Sequence, residues 1–297
     1  MTLIIAVCNE DQAILVADRR LTADGKLIDD ESNKGFLLQT VDGKFVVAFT
    51  GLARANGFET IDWLLLELLK CGPPDYMAGP ILERITSSLN DAFTNDGRLR
   101  HVPKHTLYLE IVIVGYLYHA DPPLLAFAKI WNQSADGSIG DFKLTCFNEQ
   151  RPHDGPNAWA SMHGAKRGIS DHDRSLICDL VTRRISTRKL RASLFDRIRI
   201  IAQRPNSISL IGEQLDSITI PRDPSLPATV GSSTSVVQSV LKNPPILNLQ
   251  PNDGWAVKDL QFHTGPDGPP LSIPRVSGNA SCPCNSGKKY RDCHEFL

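Results

Sequence analysis

The start of the sequence places a hydroxyl, a carboxylate and an ammonium group at regular intervals. Thr2 follows the initiator methionine, Asp18 comes sixteen residues later, and Lys34 sixteen residues after that. Methionine is commonly removed from a Met-Thr junction because the second side chain is small. A threonine hydroxyl beside its own free α-amine is an activated nucleophile. We therefore expect Met1 to be absent from the mature protein and Thr2 to be a nucleophile.

A second group of reactive side chains crowds the last sixteen residues. Cys282-Pro-Cys284 and Cys293-His294 offer three thiolates and one imidazole within thirteen residues. Four such ligands are typical of a closed tetrahedral zinc site that leaves no position for water, so a structural zinc ion is expected. The metal would supply the folding energy of a segment with almost no core. A redox-labile cysteine cluster is the alternative.

The elements that must position Thr2 are two buried hairpins. Apolar runs at 3–8 and 13–17 flank a polar turn, and runs at 35–39 and 44–49 flank Asp42-Gly43, which is a hairpin signal. The first hairpin brings the end of its second strand back beside Thr2. Depending on a one-residue slip, Thr2 faces Asp18, Arg19 or Arg20.

Helical and strand patterns alternate along the rest of the chain to about Ile220. Apolar periodicity predicts helices at 58–69, 77–93, 174–185 and 190–202, with Asp171 or Asp173 as the N-cap of the third. Strands are predicted at 107–118, 124–131, 142–147 and 207–220. This order favours an α+β fold in which stacked antiparallel sheets lie between helical layers.

Composition excludes several classes of protein. The net charge of −1 gives no global field for nucleic acid or anionic lipid. The apolar runs are too short to span a bilayer, and no basic segment of a signal peptide precedes the first one. Cys8, Cys71, Cys146 and Cys178 stand singly in apolar contexts, which predicts buried thiols in a reducing compartment. The expected location is the cytoplasm.

The amino-acid composition of the chain changes after Pro221. Ten of the twenty prolines lie between Pro221 and Pro274, among Ser, Thr, Asn, Asp and Gly clusters. Such a composition is typical of a linker with polyproline II character. We therefore predict a main domain at 1–222, a Pro-rich linker at 223–278 and a zinc-binding unit at 279–297.

The N-terminal segments resemble a known family. The runs Met1-Thr-Leu-Ile-Ile-Ala-Val7, Ile14-Leu-Val-Ala-Asp-Arg-Arg-Leu-Thr22, Asn33-Lys34 and Ala48-Phe-Thr-Gly-Leu-Ala53 are similar to the β-type subunits of the proteasome. These are N-terminal nucleophile (Ntn) hydrolases, and both sixteen-residue spacings match the family's threonine, aspartate and lysine. The resemblance covers the first fifty-odd residues and implies a four-layer αββα sandwich up to about residue 220.

The resemblance also implies a role for each matching residue. Thr2 would be the nucleophile and its α-amine the proton shuttle, while Lys34 would ease deprotonation of the hydroxyl. Asp18 would hold Lys34 charged and Arg20 would support that pair. The backbone N–H of Gly51 would meet the developing oxyanion. No cofactor is expected for catalysis.

Two supporting segments depart from the family's pattern. Where the family has a Gly-Ser-Gly-like segment before the third helix, this chain has Ser161-Met-His-Gly164. Where the family has an aspartate and a serine three residues apart, it has Pro205-Asn-Ser-Ile-Ser209, without a clear aspartate. The groups that support the α-amine are therefore altered.

The C-terminal cysteine segment closely resembles the SEC-C motif, a zinc-binding tail found on the preprotein translocase motor and on many unrelated bacterial proteins. By analogy with the motor, Lys288, Lys289 and Arg291 would face a protein or ribosomal partner.

Two functions follow from these resemblances. The first is a threonine-type amide hydrolase, acting on a peptide or small amide, with a zinc-binding SEC-C tail. The alternative is an inactive sandwich that serves as a scaffold for the tail. Family peptidases assemble into rings, so a homo-oligomer is one state open to this chain. His153, His163 and His172 fall in predicted loops or caps and are interpreted as solvated residues.

Overall fold

The computed structural model describes residues 2–23, 26–30, 32–71, 76–148, 158–164, 168–183, 185–233, 246–248, 260–264, 270–271 and 289. Within these residues the predicted mixture of helices and antiparallel sheets is confirmed.

In chain order the described strands are β1 (Leu3–Cys8), β2 (Gln12–Asp18), β3 (Leu21–Ala23), β4 (Lys26–Asp29), β5 (Gly35–Gln39), β6 (Gly43–Gly51), β7 (Arg54–Ala55), β8 (Phe58–Glu59), β9 (Leu109–Leu117), β10 (Leu124–Gln133), β11 (Ile139–Asn148), β12 (Trp159–Gly164), β13 (Leu215–Pro221), β14 (Ala228–Ser232), β15 (Ile246–Asn248), β16 (Leu260–Thr264) and β17 (Pro270–Leu271). The described α-helices are α1 (Thr60–Leu69), α2 (Ala78–Asn95), α3 (Asp171–Thr182) and α4 (Thr187–Ala202), and residues Lys104–Thr106 form a 3₁₀ turn.

The strands form two large sheets. The spatial order of the first, among described residues, is β12-β1-β2-β13-β14-β16-β17, and that of the second is β11-β10-β9-β6-β5-β15. Neighbours are antiparallel except β14 with β16 and β15 with β5, which are parallel. The pairs β3–β4 and β7–β8 form two small separate ribbons.

The first hairpin forms because both of its strands are apolar on both faces and its turn is polar. Every residue of β1 and β2 is buried. The Asn9 side chain accepts hydrogen bonds from the N–H groups of Asp11 and Gln12 at 2.9 and 3.0 Å, which closes the turn. Ile4 pairs with Ala17 and Cys8 with Ala13, and this pairing sets the register at Thr2.

Alternation along β1 and β2 divides their side chains between two cores. Ile4, Ala6, Leu15 and Ala17 face the second sheet, where they meet residues such as Val46 and Val112. The residues between them face α3 and α4 in another cluster, which includes Leu3, Ile5, Val16, Phe195 and Ile198. A third cluster packs α1 and α2 on the far side of the second sheet. The side chains of β1 and β2 therefore lie in two cores, one shared with the second sheet and one shared with α3 and α4.

The predicted helices exist, with one corrected cap. Neither Asp171 nor Asp173 is the N-cap of α3, because Ser170 holds that position. The Ser170 side chain accepts from the Asp173 N–H at 3.2 Å, and the Asp173 carboxylate accepts from the Ser170 N–H at 2.8 Å. This reciprocal capping box places the aspartate at N3.

The predicted domain boundary also needs correction. Strand β14 pairs antiparallel with β13, and β15 adds to β5 of the second sheet. Both strands lie in the range 223–278 that composition assigns to a linker, so the ordered body continues beyond residue 222. Short strands among prolines give too weak a periodic signal to be separated from a linker.

Two smaller expectations were also wrong. Strand β13 begins at Leu215 rather than at Ser207. Cys8 and Cys71 are buried, but Cys146 and Cys178 are exposed. No helix in the described part of the chain combines the length and apolar character needed to cross a membrane.

Candidate active site

Asp18 is the centre of the polar cluster at the open end of the first hairpin. Its carboxylate is fully buried and accepts hydrogen bonds from three backbone N–H groups that belong to different segments. These donors are Leu3 at 2.6 Å, Arg20 at 3.0 Å and Gly212 at 3.1 Å. Three backbone donors from separate segments fix the position of this carboxylate. Asp18 therefore ties the residue after Thr2 to the rest of the site.

Lys34 lies just before β5 and completes this cluster. Its ammonium group is 3.4 Å from Asp18 Oδ2 and donates to the carbonyl of Arg20. The side chains of both ion-pair partners are buried, at 1% and 0% exposure. Burial lowers the pKa of Lys34, and the Asp18 carboxylate opposes this shift only in part. The pair is thus an ammonium held by one carboxylate in a poorly solvated place.

The strand register resolves which residue lies across from Thr2. Continuing the pairing of Ile4 with Ala17 by two positions places Thr2 opposite Arg19, one of the three alternatives that the sequence leaves open. Thr2 is 4% exposed. Thr2 lies two and four positions before Ile4 and Ala6, whose side chains face the second sheet. Because side chains alternate along a strand, the Thr2 side chain lies on the same face.

Two segments enclose the backbone of Thr2. The Thr50 hydroxyl of β6 donates to the Thr2 carbonyl at 3.3 Å. On the other side, Gly164 of β12 pairs with Leu3 and has a φ of 89°, in the left-handed region. A Cβ at position 164 would lie 1.8 Å from the Thr2 oxygen, so only glycine fits there.

Gly51 follows Thr50 at the end of β6, one residue from the contact with Thr2. The neighbouring N–H of Phe49 bonds to Lys34 O, whereas that of Leu52 bonds to Tyr108 O. Since strand N–H groups alternate in direction, the Gly51 N–H points to the Lys34 side. Its φ is 104°, and a Cβ would lie 2.2 Å from the Tyr108 oxygen. The glycine thus leaves an amide donor on the β5 side of β6.

Arg20 contributes to the cluster through its backbone. Its N–H donates to Asp18 and its carbonyl accepts from Lys34. The guanidinium group turns away, donating to Asp30 at 2.7 Å and to the Ile208 carbonyl at 2.9 Å. The side chain therefore anchors the loop whose backbone holds the ion pair.

Arg19 and Asp216 form a second buried ion pair that sequence reasoning missed. Arg19 Nε lies 3.4 Å from Asp216 Oδ2, and the side chains are 1% and 10% exposed. Burial raises the pKa of Asp216 to about 6, although the Arg19 guanidinium acts in the opposite direction. A cavity of about 20 Å³ borders both residues together with Asp18 and Lys34. That volume is enough for about one water molecule.

The segments 161–164 and 205–209 also lie close to this site. Gly164 contacts Thr2 directly, whereas Ser161 and His163 lie on the same strand, farther from its end. In the other segment, Ser207 is buried, and the 205–209 stretch carries no aspartate. The backbone of nearby Gly212 donates to Asp18 instead.

His163 is not the solvated loop residue that the sequence predicted. It lies in β12, is 7% exposed, and contacts Glu110 of β9 through Nδ1 at 3.0 Å. Glu110 is the one charged residue in the apolar run 109–114. A lone carboxylate in a buried strand indicates a buried polar partner, and this is the sequence signal for the contact with His163. His172 is exposed in α3, and His153 lies outside the described residues.

The predicted zinc ligands Cys282, Cys284, Cys293 and His294 also lie outside the described residues. The comparisons with known proteins bear on this tail. The family model for the SEC-C motif matches residues 279–296. Protein translocase subunit SecA from Burkholderia pseudomallei (strain 1106a) is 49% identical over 41 residues, which are 14% of this chain and 4% of that protein. The chain therefore spans only a small part of this relative.

Solved structures with low sequence identity are similar to the larger part of the chain. Anbu (ancestral beta-subunit) from Yersinia bercovieri has a TM-score of 0.46 at 12% identity, over 74% of this chain and 81% of that one. The Anbu (Gly-1) mutant from Hyphomicrobium sp. strain MC1 has a TM-score of 0.48 at 12% identity, over 74% and 82%. This chain carries a SEC-C motif at its C-terminal end.

Proposed function

We propose that this chain is an Ntn amide hydrolase that acts through an acyl-enzyme on Thr2, with a peptide as the substrate class. The observation that carries the proposal is the buried Asp18 carboxylate. It holds the Leu3 N–H at 2.6 Å and the Lys34 ammonium at 3.4 Å, so one group positions both the nucleophile's strand and the cation.

The proposed reaction begins with removal of Met1, which frees the α-amine of Thr2. The Thr2 hydroxyl attacks the amide carbonyl while the α-amine takes its proton and passes it to the leaving amine. The Gly51 N–H stabilises the oxyanion. Water then hydrolyses the ester on Thr2 and regenerates the enzyme.

Lys34 has an electrostatic role in this scheme. An ammonium group near the hydroxyl lowers the free energy of the alkoxide, and poor solvation strengthens the interaction. Arg20 supports the pair through its backbone, which touches both Asp18 and Lys34.

The fold assigned with this function is the four-layer αββα sandwich of the proteasome-like Ntn hydrolases. It is supported by the three hydrophobic clusters, one between the two sheets and one between each sheet and its helix pair. Thr2 directly precedes β1, an inner strand of the first sheet.

The test has two measurements on the purified full chain. Intact mass should show that Met1 is absent, and a β-lactone directed at threonine should add one acyl group to Thr2. A Thr2→Ala variant is the control and should remain unmodified. Retention of methionine in most molecules, or a wild-type chain that is not acylated, would contradict the proposal.

A second candidate function is partner binding by the tail. The SEC-C match at 279–296 favours it, as does the missing aspartate in the segment at 205–209. In that case the body is an inactive scaffold and the tail binds a protein or ribosomal partner. A Thr2→Ala chain that keeps the full biological activity of the wild type would decide for the scaffold.

The donor set of the tail fits a zinc ion. Cys282, Cys284 and Cys293 supply thiolates and His294 an imidazole, which together satisfy tetrahedral coordination. We assign the ion a structural role, because four protein ligands leave no position for substrate. Lys288, Lys289 and Arg291 are then held on one short segment as a basic surface for the partner.

A further inference from the structure

Three side chains between the sheets form a continuous chain of hydrogen bonds that the Thr2 site does not use. Ser161 Oγ lies 2.5 Å from His163 Nε2, and His163 Nδ1 lies 3.0 Å from Glu110 Oε1. Ser161 and His163 are two residues apart on β12, so alternation places them on the same face. Glu110 reaches them from β9 of the other sheet.

The position of the protons in these hydrogen bonds follows from Glu110, which is the last acceptor. Glu110 is a carboxylate that can only accept, so His163 donates through Nδ1 and leaves Nε2 as a base. The free Nε2 can then accept the Ser161 proton. A hydroxyl, an imidazole base and an orienting carboxylate in this connection are the arrangement of serine hydrolases.

Glu110 is well suited to hold the imidazole. Tyr108 donates to its Oε2 at 2.5 Å, and the Lys129 ammonium is 3.6 Å from its Oε1. Burial would raise the pKa of Glu110, but His163, Tyr108 and Lys129 outweigh burial and lower it to about 2. The carboxylate is therefore ionised at neutral pH and can stabilise an imidazolium ion.

Ser161 lies on β12, the strand at the edge of its sheet among the described residues, and is only partly buried. The N–H of Asn9 bonds to Gln12 O on the β2 side, and the N–H of Arg19 bonds to Gln214 O on the β13 side. Because backbone groups alternate in direction along a strand, the odd residues of β1 bond to β2 and the even residues bond to β12. Ser161 is the partner of Ala6, and the next N–H, that of Met162, therefore points away from the sheet. An N–H directly after a nucleophile is placed to meet an oxyanion.

We propose that Ser161, His163 and Glu110 are a second hydrolytic site, with Ser161 as nucleophile, His163 as general base and Glu110 as the orienting carboxylate. Ser161 Oγ attacks an ester carbonyl carbon while its proton moves to His163 Nε2. The carbon–oxygen bond of the ester breaks, and the alcohol leaves with that proton. Water attacks the acyl-serine and gives one proton to His163, which returns it to Ser161 as the carboxylic acid leaves.

The surroundings indicate the substrate class. Trp159 lies two residues before Ser161 on the same face and packs on Phe127 with ring centroids 4.1 Å apart. The Phe127 ring also stacks on His163 at 6.2 Å. Aromatic side chains next to the nucleophile favour contact with an apolar acyl group. The substrate class is thus an ester of an apolar carboxylic acid.

The experiment uses the full chain with an ethoxy fluorophosphonate probe and peptide mapping of the labelled serine. Wild type and Thr2→Ala should be labelled equally at Ser161, which separates this site from Thr2. Ser161→Ala should lose the label, and His163→Gln should slow labelling by about 100-fold or more. His172→Gln, which changes an exposed histidine of α3, should label like wild type.

Two results would overturn the proposal: no label on Ser161 with the probe in excess, or equal labelling rates in wild type and folded His163→Gln. If His163→Gln does not fold, hydrolysis of p-nitrophenyl butyrate decides. Ser161→Ala removes one oxygen, and its fold can be checked by circular dichroism. The comparison is made in a Thr2→Ala background, which removes the other nucleophile. Turnover lost when Ser161→Ala is added supports the second site, whereas turnover unchanged by Ser161→Ala in that background refutes it.

Discussion

Gly164 packs directly against the carbonyl of Thr2, so that a Cβ at this position would lie 1.8 Å from the Thr2 oxygen. The contact fixes the end of β1 from the side of β12. It also requires a glycine at position 164.

Gly164→Ala should therefore displace Thr2 and abolish the proposed amide hydrolysis. The matched control is Gly137→Ala, since Gly137 has a similar φ of 85° but open space around its Cβ position. The control should lose about 1 kcal/mol of unfolding free energy from the left-handed backbone alone. Denaturant unfolding should show a larger loss for Gly164→Ala, and equal losses would contradict the contact.

Lys34→Ala should abolish amide hydrolysis, and Lys34→Arg should not restore it. A planar guanidinium cannot replace a compact ammonium group between Asp18 and the hydroxyl. Lys44→Ala is the control, because Lys44 is another buried lysine whose ammonium bonds to the Pro224 carbonyl at 3.3 Å. Wild-type activity in Lys34→Ala would show that the pair is only structural.

Asp18→Asn should impair the same reaction because it leaves the buried Lys34 without its counter-charge. Its effect and that of Lys34→Ala should be strongly non-additive in kcat, since the two groups act as one unit. A double-mutant cycle measures this coupling. Additive losses would mean that the two residues act independently.

The pH profile should report the lowered pKa of Lys34. The ammonium form is present below this pKa and is lost as pH rises through it. Because burial lowers the pKa from its ordinary 10.5, kcat/KM for a peptide substrate should fall on the alkaline side below pH 10.5. An alkaline limb at 10.5 or above would contradict a charged, poorly solvated Lys34.

Glu110 should make the protein sensitive to acid. Its pKa is lowered from 4.5 to about 2 in the folded state, so its stabilisation is present above pH 4.5 and is lost as pH falls through about 2. The shift corresponds to about 3 kcal/mol. Urea unfolding of Glu110→Gln should show a flatter pH dependence in this window, whereas Glu213→Gln, at an exposed position, should follow wild type.

The tail should bind one zinc ion per chain when purified under reducing conditions. Metal analysis should find this ion in wild type and lose it in Cys293→Ser, which removes one of four ligands. Cys178→Ser is the control, because Cys178 is a free and exposed cysteine of the main body. A wild-type chain without zinc would refute the assignment.

The local elements around Thr2 could be predicted because their signals are local. Two apolar runs with a polar turn between them specify the β1–β2 hairpin, and the turn length restricts the register to three neighbouring positions. The cysteine and histidine spacing of the tail is equally local, and the SEC-C match at 279–296 agrees with it. Strands β14 and β15 lie in the range predicted as a linker because each is short and surrounded by prolines, and β15 pairs with the distant strand β5.

The sequence by itself determined that Thr2, Asp18 and Lys34 stand at strand ends, since the hydrophobic pattern defines those ends. Only the tertiary structure decided what surrounds them. The donors from Gly212 and Thr50 and the close approach of Gly164 arise from segments 48 to 210 residues away from Thr2. The same holds for His163 and Glu110, which lie 53 residues apart and meet only because the two sheets stack. Contacts of this kind depend on how whole sheets pack, and burial of apolar surface drives that packing without leaving a periodic signal in the polar residues it brings together.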